Sequence, residues 1–131
     1  MKVLRLICAV LLLASGRAAA LDCANALTTP DINECASVEQ KKVEARLNTT
    51  YKTVLAYLDH ADPIIKDDAA SAKLKLIEAQ RAWIKFREAD CQAQYEFNAS
   101  GTIRTVLWIS CMQAHAEQRT RDLESFSSGG D

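Results

Sequence analysis

The short polar segment Asp59-His60-Ala61-Asp62 holds the residues of this sequence that are best suited to acid–base or metal chemistry. Two carboxylates beside an imidazole could hold a divalent cation or exchange a proton. Such residues also end helices in solvent, and Pro63 follows directly, which favours a turn. The sequence has no G-x-S-x-G, P-loop, H-E-x-x-H or glycine-rich phosphate loop. We therefore expect no enzymatic activity, cofactor or metal site, and an enzyme or metal binder built on Asp59, His60 and Asp62 is the weaker alternative.

Four cysteines, Cys23, Cys35, Cys91 and Cys111, follow the first twenty residues. An even number in a small exported chain is typical of two disulfides, for which three pairings exist. Cys91 and Cys111 are each ten residues from Gly101. A helical hairpin that turns at Gly101 places them at one level, as a disulfide requires, and Cys23 and Cys35 then pair by elimination. Reactive thiols or a metal site are the alternatives, although no C-x-x-C is present.

Residues 79–91, AQRAWIKFREADC, combine aromatic and charged side chains on one helical segment. Glu39 lies within the apolar stripe of the preceding helix, where a buried carboxylate would need a cationic partner. We expect Glu39 to be buried against Arg81, Arg87 or Arg119, in a structural ion-pair network rather than a ligand site.

The hairpin register also predicts which side chains of the second and third helices face each other. A Trp facing an Arg is suited to cation–π stacking. The predicted opposing pairs are Arg87 with His115, Trp83 with Arg119, Gln80 with Asp122, and Leu76 with Phe126.

Apolar residues recur at three- and four-residue steps from Ile32 to Leu58, which predicts one helix of about thirty residues. Thr28 can cap it, with Pro30 at its first position. No run shows the alternation of a strand. The predicted fold is all-α, an antiparallel three-helix arrangement with long helices, stapled by two disulfides.

The remaining boundaries follow from turn residues. The second helix begins at Pro63 or at Asp67-Asp68 and runs to about Phe97. The third helix, capped by Thr102, runs from Ile103 to about Phe126, and residues 127–131 form a frayed tail.

Residues 1–20 have the layout of a secretory signal peptide. Lys2 and Arg5 precede an apolar run that is too short to span a membrane, and Ala18-Ala19-Ala20 offers a cleavage site. We expect residues 21–131 to form a single exported domain. Removing residues 1–20 changes the formal net charge from −1 to −4, which disfavours nucleic acid and anionic membranes and favours a basic partner.

Several segments along the chain together match a known pattern. They are Cys23, Asn33-Glu34-Cys35-Ala36 and Glu39, then Leu47-Asn48 and Tyr51, then residues 79–91, and finally Cys111, Arg119 and Leu123. With these segments the sequence resembles the bacterial exported domain family named after the lysozyme inhibitor LprI. The chain departs from that family's pattern at His115-Ala116, where Leu-Thr is usual, and at Gly101, the remnant of a glycine-rich stretch.

This resemblance implies a periplasmic or secreted, non-enzymatic helical domain of bacterial origin that is lysozyme inhibitor-like. It marks a set of signature residues with structural roles, namely Glu39, Gln80, Arg81, Trp83, Phe86, Arg87, Asp90 and Arg119.

We hypothesise a binding protein that contacts another protein, with a c-type lysozyme as the partner that the resemblance suggests. The alternative is an accessory or toxin-neutralising envelope protein with a different protein partner. Contacts concentrate in loops on rigid scaffolds, so the candidate contact residues are Asp59, His60, Asp62, Asn98 and Ser100.

Overall fold

The computed structural model describes residues 21–128 and contains three long helices. They are α1 (Thr29–Asp59), α2 (Lys66–Phe97) and α3 (Arg104–Ser127), with a 3-10 turn at Pro63–Ile65 directly before α2. The predicted all-α class with three long helices is confirmed, and no strand occurs within the described part. None of these helices is long and apolar enough to cross a membrane. The predicted signal peptide, residues 1–20, lies outside the described residues.

Side-chain caps begin α1 and the 3-10 turn, whereas α2 starts directly after that turn without a side-chain cap of its own. The Thr28 hydroxyl accepts a hydrogen bond from the Asp31 amide at 3.3 Å, which confirms the predicted cap of α1. The Asp62 carboxylate accepts one from the Ile64 amide at 2.8 Å and caps the 3-10 turn.

The predicted Thr102 cap is wrong. Helix α3 begins one residue later than that cap requires, so the position before its first residue is Ile103, whose side chain makes no capping hydrogen bond. At its other end, Ser127 is still helical rather than frayed, and its hydroxyl donates to the Glu124 carbonyl at 3.0 Å. Residues 129–131 of the predicted tail lie outside the described part.

The helices run up, down and up, so α1 and α3 are parallel to each other. Gln113 of α3 donates to the Ala36 carbonyl at 3.0 Å, and Arg46 pairs with Glu124 further along both helices. Helix α1 packs most extensively against α3. The main apolar core takes residues from all three helices: Leu47, Val54, Leu58, Ala69, Leu76, Ala116 and Leu123.

The two disulfides join Cys23 to Cys35 and Cys91 to Cys111, as predicted, each with a Cα–Cα distance of 5.6 Å. Cys91 is fully buried and forms a second core cluster with Cys111, Met112 and the partly buried Trp108. The other bridge ties the arm before α1 to the first turns of that helix.

A local turn also orders this arm. Asp22 accepts hydrogen bonds from the Asn25 side chain at 2.8 Å and the Ala24 amide at 3.1 Å. The bond from the Asn25 side chain is the main reason that the pKa of the Asp22 carboxyl lies below its usual value.

The predicted register between α2 and α3 holds at the disulfide and drifts away from it. Arg119 donates to Gln80 at 2.9 Å. Gln80 lies three residues before Trp83, the predicted partner of Arg119. Asp122, predicted to face Gln80, instead accepts from Gln118 on its own helix. Packed helices cross at an angle. Counting equal numbers of residues from the turn at Gly101 therefore predicts the facing residues only near the crossing point.

We predict that the two bridges contribute unequally to global stability. The Cys91→Ala, Cys111→Ala double variant should lose about 3 kcal/mol of unfolding free energy, the loop-entropy value for a bridge of this span. The Cys23→Ser, Cys35→Ser variant should lose less, because releasing the arm leaves the core intact. Urea denaturation of the three oxidised proteins measures both differences. An equal loss in the two variants would contradict this assignment.

Candidate functional site

A buried guanidinium forms the centre of a polar layer between α1 and α2. The Arg87 side chain is only 9% exposed, and it donates to the Glu44 carboxylate of α1 at 2.5 Å. Its guanidinium carbon lies 4.5 Å from the centroid of the Trp83 ring, so the stacking partner of Trp83 is Arg87 and not Arg119. Arg87 and Trp83, both among the predicted signature residues, thus form a triad with Glu44.

Helix α3 joins this polar layer through Arg119. The Arg119 Nε–H donates to the side-chain carbonyl of Gln80, which is buried. Two further guanidinium nitrogens, one each of Arg87 and Arg119, are buried and find no acceptor within residues 21–128. Buried donors without acceptors cost free energy, which lowers the net stability that the layer contributes.

The predicted burial of Glu39 is wrong. Its side chain is 57% exposed and pairs with Lys42 on the same helix at 2.9 Å. Both residues line a groove of about 290 Å³ between α1 and α3. The core-facing positions of α1 include Leu47, Val54 and Leu58, and stepping back one turn along that stripe leads to Glu44. Arg81, a candidate partner of Glu39, is exposed.

A second polar pair lies next to the buried disulfide. His115 Nε2 and Asp90 Oδ2 are 2.8 Å apart, and Phe86 meets the His115 ring edge-on at 5.4 Å. The predicted neighbour of His115 is Arg87. The side chains that contact His115 are instead Asp90 and Phe86, each within one helical turn of Arg87. One ligand atom from each of Asp90, Cys91, Cys111 and His115 lies within 4.8 Å of the others. Both sulfurs belong to the disulfide, whereas a cysteine binds a metal as a free thiolate.

The turn between α1 and α2 does not bring Asp59, His60 and Asp62 together as a metal-binding group within the described residues. Asp59 pairs with Lys73 of α2 at 2.5 Å, and Asp62 caps the 3-10 turn. His60 is exposed and ends α1, its amide donating to the Ala56 carbonyl. These three residues therefore fix the geometry of the turn.

The turn between α2 and α3 is also well ordered. The Asn98 side chain donates to the Gln94 carbonyl at 2.8 Å, and the Gly101 amide donates to the Asn98 carbonyl at 2.9 Å. Ser100 is exposed, whereas Asn98 is half-buried. Of the two predicted contact residues here, only Ser100 offers its whole side chain to solvent.

Sequence reasoning missed the apolar side chains that flank both turns. Ile64, in the 3-10 turn between α1 and α2, is 92% exposed. Phe97, the last residue of α2, is 91% exposed. The sequence did indicate this exposure. Ile64 directly follows Pro63, and Phe97 directly precedes Asn98. A large apolar side chain beside a turn residue can reach little of the core.

We predict that Glu44→Ala destabilises the protein and that Glu39→Ala does not. Losing one partner of a buried ion pair typically costs about 3–5 kcal/mol, and the partial exposure of Glu44 places it toward the lower end. The exposed Glu39 is the matched control on the same helix. Thermal and urea unfolding measure both variants, and equal midpoints would refute the assignment of Glu44 as the partner of Arg87.

Comparison with known proteins gives one family and two bacterial relatives. The family model described as lysozyme inhibitor LprI matches residues 22–123. An uncharacterised protein of Rhizobium meliloti (strain 1021) is 33% identical over 106 residues, which cover 79% of this chain and 76% of that protein. The uncharacterised protein YecT of Escherichia coli (strain K12) is 28% identical over 106 residues, which cover 76% of this chain and 65% of YecT.

No solved structure matches the chain. The matched range, residues 22–123, contains all four paired cysteines as well as Glu44, Gln80, Arg87 and Arg119, which form the contacts between helices described above. The match therefore extends over most of the chain and over the whole polar layer, and this chain belongs to the LprI lysozyme inhibitor family.

Proposed function

We propose that this protein is an exported, non-enzymatic binding protein that inhibits a lysozyme by protein–protein contact. The observation that carries the proposal is the match of residues 22–123 to a family described as lysozyme inhibitors. We further propose that it works in the bacterial periplasm or outside the cell, where disulfides form and persist.

The ends of the helical bundle are the proposed contact surfaces. Asp59, His60 and Asp62 lie at one end, and Asn98 and Ser100 lie at the other. Both turns are tied down, the first by the Asp59–Lys73 pair and the Asp62 cap, the second by the Asn98 hydrogen bonds. A pre-organised surface loses less conformational entropy on binding than a mobile loop does, which supports recognition through these turns.

Charge supports a basic enzyme as the partner. Without residues 1–20 the chain carries a formal net charge of −4. Attraction between an acidic and a basic protein raises the association rate and declines with ionic strength. The same charge opposes binding to nucleic acid or to an anionic membrane surface.

We predict that the purified, oxidised protein slows the lysis of Gram-positive cell walls by a c-type lysozyme without degrading the walls itself. The test titrates the protein against a fixed amount of enzyme, first at low salt and then at rising salt, and inhibition should weaken as salt rises. Walls that are incubated with the protein and then washed should be lysed at the full rate, because the protein acts on the enzyme.

An unchanged lytic rate at tens of micromolar protein would refute lysozyme inhibition. That result would favour the alternative of an accessory or toxin-neutralising envelope protein with another protein partner.

A further inference from the structure

The two ends of the bundle expose similar apolar anchors. At the α1–α2 end, Ile64 is 92% exposed and Ile65 is 49% exposed. At the α2–α3 end, Phe97 is 91% exposed and Ile103 is 53% exposed. Exposed apolar side chains on a rigid frame are typical anchors of protein interfaces. Apolar exposure alone therefore does not decide which end meets a partner.

Charge distinguishes the two turns. Residues 59–68 contain four aspartates and one lysine, whereas residues 95–104 contain one glutamate and one arginine. Asp59 is paired with Lys73, and Asp62 is occupied in capping. Asp67 and Asp68 are exposed in the first turn of α2, next to the exposed Lys66, and are the two carboxylates of this segment that are neither ion-paired nor capping.

Further exposed apolar side chains lie on the two helices that adjoin the α1–α2 turn. Tyr57 is 56% exposed and lies two residues before Asp59 on α1, while Leu74 is 64% exposed and directly follows Lys73 on α2. The Asp59–Lys73 contact brings these two stretches of helix to the same level. The α1–α2 end thus combines exposed carboxylates with several exposed apolar side chains.

We infer that the α1–α2 end, with Ile64 as its apolar anchor and Asp67 and Asp68 as its steering charges, is the surface that binds a basic lysozyme. This inference rests on the proposed function and assigns its contact surface. The turn that presents Ile64 is fixed before binding, because the Asp62 carboxylate accepts from the Ile64 amide and the Asp62 carbonyl accepts from the Ile65 amide. Complementary charge brings the partner to this end, and the buried isoleucine then slows dissociation.

The test compares Ile64→Asp with the matched control Phe97→Asp in the lysozyme titration. Both residues are more than 90% exposed, so both variants should melt like the parent. Ile64→Asp makes the end more acidic, so weaker inhibition would show that the apolar contact matters and not the charge. We expect Ile64→Asp to raise the concentration for half-inhibition roughly tenfold or more, and Phe97→Asp to leave it unchanged.

The steering charges are tested separately with the Asp67→Asn, Asp68→Asn double variant. It should inhibit less at low salt and show a weaker dependence on salt, while at high salt it should approach the parent. Glu96→Gln, at the opposite end, is the control for a lost carboxylate and should behave like the parent.

The outcomes separate this inference from the proposed function. If the parent inhibits and Ile64→Asp inhibits equally well, the α1–α2 end is not the contact surface, although the proposed function stands. If Phe97→Asp alone loses inhibition, the opposite end is the contact surface. If the parent does not inhibit lysozyme, the proposed function fails and the assignment of its surface fails with it.

Discussion

Arg87 places a permanent positive charge in the interior of a narrow helical bundle, and that charge requires a carboxylate nearby. Glu44 supplies it from α1, and Trp83, which lies on α2 as Arg87 does, covers the guanidinium. These contacts fix how α1 and α2 are aligned along their lengths. The same alignment places Asp59 beside Lys73, nearer to the α1–α2 turn. The position of the turn, and of everything it displays, therefore depends on how the buried arginine is neutralised.

Two different cores lie along the chain on either side of this arginine. Toward the α1–α2 turn, aliphatic side chains of all three helices pack together, with Leu47, Val54 and Leu123 almost fully buried. Toward the α2–α3 turn, the core is the Cys91–Cys111 bridge with Met112 and Trp108. A small helical domain buries too little apolar surface to depend on packing alone. One end is thus held by apolar contacts and the other by a covalent bond.

Features that depend on local spacing could be predicted from the sequence. The helix stripe, the Thr28 cap and the symmetric placement of the cysteines about the turn are all of this kind. The carboxylate that pairs with Arg87 is not, because choosing Glu44 over Glu39 requires knowing which way α1 is rotated. The partner of Arg119 likewise depends on the crossing angle of α2 and α3. The exposure of Ile64 and Phe97 is not predicted either, because the expectation that turns are polar directs attention to the polar side chains there.

The side faces of the bundle are less suited to a partner than its ends. The groove between α1 and α3 is lined by Glu39 and Lys42, which already pair with each other, and a partner there would have to desolvate them. At the α1–α2 end, the acidic residues also have a role in the fold itself. Carboxylates in the first turn of a helix are stabilised by the helix dipole, so Asp67 and Asp68 benefit the fold whether or not a partner is bound. The two acidic residues of this first turn therefore stabilise the helix in the free protein as well, whereas α3 begins with Arg104 and has no acid in its first turn.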